Sequence, residues 1–317
     1  MILEIKNLKT HFFTRENIVK AVDDINFNIS SGEIHGIAGE SGSGKSVMGL
    51  SIINLLQEPG KIVEGKIYFN GKDITKLNEK KMKSIRGKKI SMIFQDATMS
   101  LNPILSIETQ MIEAVLAHNK ISYKEAKNLA VQSLIEVGIK DAEIKIKNYP
   151  HEFSGGMRQR VAIAIALINK PDLIIADEPT TALDVTTQAQ ILYLTQKLCK
   201  ENNTALIWIT HDLSVLSGLV DKISIMYNGK IVETGGVDNI LDNPQHSYTK
   251  KLINSIPKGN INEERKIDDN VINIQNLTKI YEKRNTFASN LFTFFQANKY
   301  DLKPDKAIKN LSLNIKR

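Results

Sequence analysis

Gly39-Glu40-Ser41-Gly42-Ser43-Gly44-Lys45-Ser46 spells G-x-x-x-x-G-K-[ST] between an apolar run, Ile34–Ala38, and a helix-forming segment. Its glycines let successive backbone N–H groups turn toward phosphate oxygens, and the helix start adds partial positive charge. Lys45 is placed to reach the β- and γ-phosphates of a nucleotide, and the Ser46 hydroxyl to ligate Mg²⁺. Farther along, Leu173-Ile174-Ile175-Ala176 runs into Asp177-Glu178. Apolar strands seldom end in two carboxylates by accident, because a dry unpaired carboxylate costs several kcal/mol. Asp177 is expected to hold Mg²⁺ through water, and Glu178 to act as general base on the attacking water.

Two more polar residues close apolar runs: Gln95 after Ile90–Phe94, and His211 after Ile207–Thr210. Both belong at the carboxyl edge of a sheet, where ligands of α/β folds bind. Gln95 is expected to sense Mg²⁺ and the water, and His211 to contact the γ-phosphate. Alone, such a Gln or His is more often a capping or turn residue, and the carboxylate pair could be a solvated turn. Their joint occurrence downstream of the loop favours the chemical reading.

These residues need a scaffold. Residues 1–30 alternate apolar and polar, as in Ile2-Leu3-Glu4-Ile5-Lys6-Asn7-Leu8 and Ile25-Asn26-Phe27-Asn28-Ile29, which predicts antiparallel strands with one packed face. Ile34–Ala38, Leu173–Ala176 and Ala205–Ile209 are continuous apolar runs, as in parallel strands covered on both sides. A helix is predicted from Lys45 to about Leu56, closed by Pro59-Gly60. Between them, residues from about 96 to 160 form a helical insertion. Ser122 and Glu125 make a capping box, Ala126, Leu129, Ala130, Leu134 and Val137 a buried stripe, and Gly138 the stop.

The 317 residues, 42% hydrophobic and 24% charged, suit one large domain or two ordinary ones with a real core. The longest apolar run, Val161–Ile168, is far below the ~20 residues that cross a bilayer. The N-terminus lacks the features of a secretory signal, so the chain is expected in the cytoplasm. A single cysteine, Cys199, excludes an internal disulfide or a thiolate-only metal site, and is read as a half-buried helix residue. The net charge of +7 comes from scattered basic residues, and no nucleic-acid partner is expected.

Polar residues 257–270 are expected to be a linker. An internal repeat follows it. Ile272-Asn273-Ile274-Gln275-Asn276-Leu277 echoes Leu3–Leu8, and Ala307–Ile315 echoes Ala21–Ile29. Residues 271–317 are therefore expected to open a second, incomplete copy of the domain that occupies 1–256. A chance similarity in a β-rich extension is the alternative.

Ser154-Gly155-Gly156-Met157-Arg158-Gln159 opens another helix whose N-terminus can bind phosphate, although the chain already has a loop for that purpose. With these residues the chain resembles the nucleotide-binding subunit of an ABC transporter: the 154–159 segment resembles the family signature, Thr181-Ala182-Leu183-Asp184 its D-loop, Gln95 its Q-loop and His211 its switch histidine. The order matches and the likeness covers about residues 1–256. Met92–Asp96, Ser100–Pro103, Tyr149–Arg160 and Pro244–Thr249 look like the oligopeptide/dipeptide importer ATPases, a group that also includes nickel and glutathione importers. Departures are Ala97-Thr98-Met99, Ser247, and the lack of a cysteine-rich C-terminal region, which argues against an iron–sulfur cluster.

The resemblance implies a P-loop NTPase of ABC type, an α/β fold with an N-terminal antiparallel β subdomain and a helical insertion. It implies ATP and Mg²⁺, with Phe12 stacking on adenine and Tyr281 its counterpart in the repeat, followed there by a longer insertion, residues 282–306; ordinary strand packing is the alternative for either aromatic. Ser154, Gly155 and Gly156 would serve the ATP of a second ABC ATPase domain, with Asp184 at that interface. Membrane permease subunits would dock on the helical insertion, a substrate-binding protein would act indirectly, and the subunit would sit on the cytoplasmic face of the cell membrane. Two other readings stay open: a soluble ABC protein acting on ribosomes or DNA, and an inactive truncated remnant that still binds ATP.

Overall fold

The alternation at the N-terminus becomes a ladder. β1 (Leu3–Phe13) pairs antiparallel with β2 (Ile18–Ile29) and with β4 (Gly60–Phe69), and β5 (Lys72–Asp73) completes a sheet of order β2-β1-β4-β5. Leu3, Ile5, Leu8, Ile25, Phe27 and Ile29 turn one face inward, and all are buried. Asn7 and Asp24 take positive φ (48° and 65°) where the register shifts, and Asn7 donates from its side chain to Asp24 Oδ1. Short polar side chains tolerate that backbone and bond locally within it.

The computed structural model describes residues 1–95, 100–181, 183–255, 270–281 and 305–316. The chain divides into two units, Met1–Pro257 and Lys258–Arg317.

In the first unit, β3 (Ile34–Ala38), β6 (Ile90–Ile93), β7 (Leu173–Asp177), β8 (Ala205–Thr210), β9 (Lys222–Tyr227) and β10 (Lys230–Gly236) form a sheet of order β10-β9-β3-β8-β7-β6. The pairs β3–β8, β3–β9, β6–β7 and β7–β8 are parallel, and β10 runs antiparallel along β9. Every residue of β3, β7 and β8 is buried, as their unbroken apolar runs require. Alternate residues feed two cores. Leu173, Ile175, Ile207 and Ile209 join the antiparallel sheet and α1 (Lys45–Ile52), whereas Ile174, Ala176, Leu206 and Trp208 join the helical side.

α1 ends at Ile52, short of the predicted Leu56. Asn54, at φ 49°, leaves helical geometry before the Pro59-Gly60 signal is reached. After it come α2 (Glu79–Lys83), α3 (Ile107–Leu116), α4 (Tyr123–Glu136), α5 (Ala142–Lys145), a 3₁₀ turn (Pro150–Glu152) and α6 (Gly155–Leu167), so the segment from 100 to 160 is largely helical. Ser122 and Glu125 form the predicted capping box, and Glu108 of α3 pairs with Lys127 of α4 at 2.9 Å. The stripe is narrower than expected: Ala126, Ala130, Leu134 and Val137 are buried, but Leu129 is 46% exposed. The two alanines draw the neighbouring helices onto their own line, and Leu129 lies about 100° around the helix from Ala130. α7 (Val185–Glu201), α8 (Leu213–Leu216), α9 (Val237–Asp242) and α10 (Ser247–Asn254) complete the unit. Cys199 is fully buried in α7, deeper than the half-buried position expected.

In the second unit, β11 (Asn270–Tyr281) pairs antiparallel with β12 (Asp305–Lys316). The register repeats that of β1 and β2. Leu3↔Ile29, Ile5↔Phe27 and Leu8↔Ile25 correspond to Ile272↔Ile315, Ile274↔Leu313 and Leu277↔Leu311. The positive-φ pair Asn7 and Asp24 recurs as Asn276 and Asn310, at φ 52° and 50°. Apart from Asn270 and residues 305–306, the expected linker and the insertion at 282–306 lie outside the described residues, as do Pro257, Asp96–Met99 and Ala182.

Candidate active site

The loop from Gly39 to Ser46 joins β3 to α1, and close backbone contacts dictate its glycines. A Cβ at Gly44 (φ 100°) would fall 2.1 Å from the Ala21 carbonyl oxygen, and one at Gly39 2.2 Å from that of Met226. Gly229 N donates to Ser43 O at 3.0 Å, so the β9–β10 turn braces the loop. Lys45 is buried inside it: Nζ donates to Gly39 O (2.8 Å), Glu40 O (2.9 Å) and Ser43 Oγ (3.3 Å). Burial pulls the Lys45 ammonium below its ordinary pKa, against the opposing pull of Glu178 and Asp177. Glu40 and Ser41 are exposed on the rim, where Gly42 supplies a positive φ of 80°.

Ser46 Oγ donates to Asp177 Oδ1 at 3.0 Å, joining the helix start to the end of β7. Asp177 is 6% exposed, and burial raises its pKa; the Ser46 hydroxyl and Lys45 work against that rise, while Glu178 adds to it. A hydroxyl and a buried, undercompensated carboxylate are hard oxygen donors, the set that suits Mg²⁺. Among the described residues no group of three or more His, Cys, Asp or Glu is gathered as a metal site, so such an ion would draw its remaining ligands from phosphate and water.

Beside this pair stands a second cluster. Glu178 takes φ 44°, a left-handed conformation costly for a non-glycine residue, as it turns out of β7. Its Oε2 accepts from Gln95 Nε2 (3.2 Å) and Thr181 Oγ1 (3.2 Å), and lies 3.1 Å from His211 Nδ1. With its proton on Nδ1, His211 donates to the carboxylate and keeps Nε2 as an acceptor. Gln95 and His211 thus converge at the carboxyl edge of the sheet. Thr181, read in the sequence only as the start of the segment resembling the D-loop, is a partner of Glu178 that this reading did not foresee; the signal for it was its position three residues after Glu178.

The remaining candidates lie elsewhere. Ser154 caps α6 by accepting from Met157 N at 3.3 Å, and Gly155 and Gly156 form the helix's first turn. Asp184 caps α7, accepting from Thr187 N (2.9 Å) and Thr187 Oγ1 (2.7 Å); the Thr187 hydroxyl chiefly holds its carboxyl below the usual range. These four residues share one cavity of about 370 Å³ with Leu183 and Thr187, and no residue of the phosphate loop lines it. The Phe12 ring packs over Gly60, where a Cβ would meet it at 2.7 Å, as an ordinary cross-strand contact would. The backbone of Tyr281 ends β11, and its side chain lies outside what is described.

A family model described as "ABC transporter" matches residues 22–181, and one described as "Oligopeptide/dipeptide transporter, C-terminal region" matches residues 232–290. The oligopeptide transport ATP-binding protein AppD of Bacillus subtilis (strain 168) is 50% identical over 257 residues, which cover 81% of this chain and 78% of that protein. The protein of the same description named OppD from Salmonella typhimurium (strain LT2) is 46% identical over 258 residues, covering 81% and 77%. Among solved structures, a dimeric post-hydrolysis state of the ATP-binding cassette MJ0796 bound to ADP and Pi superposes with a TM-score of 0.67 at 31% identity, over 74% of this chain and 99% of that one. The phosphate loop, the paired carboxylates at the end of β7 and the glycine-led α6 are therefore parts of a known whole: the chain belongs to the ABC transporter family, as an ATP-hydrolysing cassette of its oligopeptide/dipeptide group.

Proposed function

We propose that this cassette powers an importer of peptides or a related small solute. It would work from the cytoplasmic face of the membrane, bound to permease subunits that receive cargo from a substrate-binding protein. The names of the relatives support the cargo class, and the C-terminal model matched at 232–290 supports the subgroup. Among the described residues no helix is long and apolar enough to cross a membrane.

The observation that carries the mechanism is the Glu178 carboxylate, held at one oxygen by Gln95, Thr181 and His211. Glu178 would accept a proton from the attacking water, Gln95 would orient that water beside the ion, and His211 would meet the γ-phosphate. Mg²⁺, held by Ser46 and by Asp177 through water, would neutralise charge on the β- and γ-phosphate oxygens. Lys45 and the loop N–H groups would grip the phosphates, and Phe12 would cover the adenine. The Ser154-Gly155-Gly156 tip and Asp184 would complete the site of a second cassette, since their cavity contains none of this chain's own loop. We further propose that residues 271–317 begin a second cassette copy, on the strength of the repeated register and repeated positive-φ pair.

Glu178→Gln keeps the size and the polar contacts of the side chain but removes the base. ATP binding should persist while turnover falls by about two to four orders of magnitude. Turnover at the wild-type level, assayed with partner cassette and permeases present, would refute the assignment.

A further inference from the structure

Pro244–Thr249 marks the subgroup in sequence, yet none of its residues takes part in the hydrolysis outlined above. The structure gives the segment an anchor and a target. Glu233 of β10 accepts from Gln245 N at 2.7 Å and from His246 N at 3.0 Å, which fixes the approach to α10. His246 Nδ1 then caps that helix by accepting from Tyr248 N at 3.2 Å. Tyr248 is driven inward to 7% exposure, and its ring stacks on Tyr227 with centroids 4.1 Å apart. Its hydroxyl oxygen accepts from Glu40 N at 3.1 Å.

Glu40 N and Gly39 O belong to the same peptide group. Tyr248 holds its N–H, and Lys45 Nζ holds its carbonyl at 2.8 Å. A planar peptide pinned at both ends cannot rotate about the flanking bonds without breaking one of the two contacts. Gly39 leaves that rotation otherwise easy, because it carries no side chain. The tyrosine therefore restricts one of the two peptides whose carbonyls hold the lysine ammonium, the other being that of Glu40 O at 2.9 Å.

We propose that Tyr248 is a positioning residue for ATP: through the Gly39–Glu40 peptide it presets the phosphate loop and Lys45, and so makes nucleotide affinity depend on the C-terminal segment that begins at Glu233. The proposal rests on Lys45 as the phosphate-gripping lysine.

Tyr248→Phe keeps the ring stacked on Tyr227 and removes only the acceptor for Glu40 N. In the full chain, with partner cassette and permeases, KM for ATP and the Kd of a fluorescent ATP analogue should rise about twofold to tenfold, the effect of losing one hydrogen bond that presets the loop. The turnover number at saturating ATP and the melting temperature should stay near wild type. An unchanged KM and Kd would overturn the proposal, as would a lowered melting temperature with KM unchanged. Hydrogen exchange on the wild-type chain without nucleotide gives an independent reading: the Glu40 amide should exchange more slowly than that of Ser41, and an equal or faster rate would also overturn the proposal. Lys45→Ala separates the premise from the inference. If that variant still binds the analogue normally, the reading of Lys45 fails; if it loses binding while Tyr248→Phe binds like wild type, only the role of Tyr248 fails.

Discussion

The two glycines that open α6 differ in a way that can be measured. A Cβ at Gly155 would sit 3.6 Å from Leu183 Cδ2, an ordinary contact, whereas one at Gly156 would sit 2.6 Å from Thr187 Cγ2. Both positions belong to the first turn of a helix, so alanine brings each a similar gain in backbone propensity. The difference between Gly155→Ala and Gly156→Ala thus isolates the clash with α7. Overpacking of this kind costs about 1–3 kcal/mol, or roughly 2–12 °C in melting temperature for a unit of this size. Thr187→Ser removes the offending methyl group and keeps the hydroxyl that bonds Asp184 at 2.7 Å. The remaining Thr187 atoms, Cβ and Oγ1, lie 3.9 Å from the added carbon, within normal contact range. Thermal melting of both alanine variants, of Thr187→Ser and of the Gly156→Ala/Thr187→Ser pair closes a double-mutant cycle. Gly156→Ala should melt below Gly155→Ala, and the serine should recover most of the loss. If the two alanine variants melt together, or if serine restores nothing, the close α6–α7 contact is not what requires glycine at 156. Melting is the right readout, because catalysis could suffer from either substitution for reasons unrelated to packing.

Two further outcomes follow from buried groups. His35 is 2% exposed, with its Nε2 2.9 Å from Ser224 Oγ and its Nδ1 3.5 Å from Glu33, and burial drives its pKa from 6.5 to about 4 in spite of that carboxylate. Between those values the unfolded chain binds a proton that the folded chain refuses, so this group's contribution, up to about 3 kcal/mol, is full above pH 6.5 and is lost as pH falls toward 4. Urea unfolding at pH 7 and pH 5 should show a steeper loss for wild type than for His35→Gln, and parallel losses would refute the assignment. Cys199 is fully buried with its thiol pushed up to about 12, so a thiol reagent should label it only after denaturation; rapid labelling of the native chain would contradict the packing of α7.

Legibility in the sequence tracked how local the controlling physics was. The β3, β7 and β8 runs were readable because a parallel strand covered on both faces must be apolar throughout, and the capping box at Ser122 because it closes within one helical turn. Gln95 and His211 could be placed at one sheet edge because each ends an apolar run. What could not be read is that both converge on the same oxygen of Glu178 with Thr181 as a third donor, since that depends on the left-handed turn at Glu178. Leu129 misled for a related reason: periodicity names a face, but the width of the buried stripe is set by how closely the small residues Ala126 and Ala130 let a neighbour approach. Tyr248 stood in a recognisable stretch, yet its target lies 208 positions away in the chain.

The same distinction bears on why one cassette should be only half of a working site. Lys45, Ser46, Asp177 and Glu178 bring a cation, a hydroxyl and two carboxylates together around a single loop. The cavity led by Ser154 has the complementary composition, with a helix start, two glycines and no ionisable group other than Arg160 and Asp184. Such a surface can stabilise phosphate charge through its amides, while its one carboxylate, Asp184, is engaged at both oxygens by Thr187. If both halves had evolved to act within one chain, the loop and the glycine-led tip would line a common cavity; that they line separate ones favours a reaction assembled between two copies.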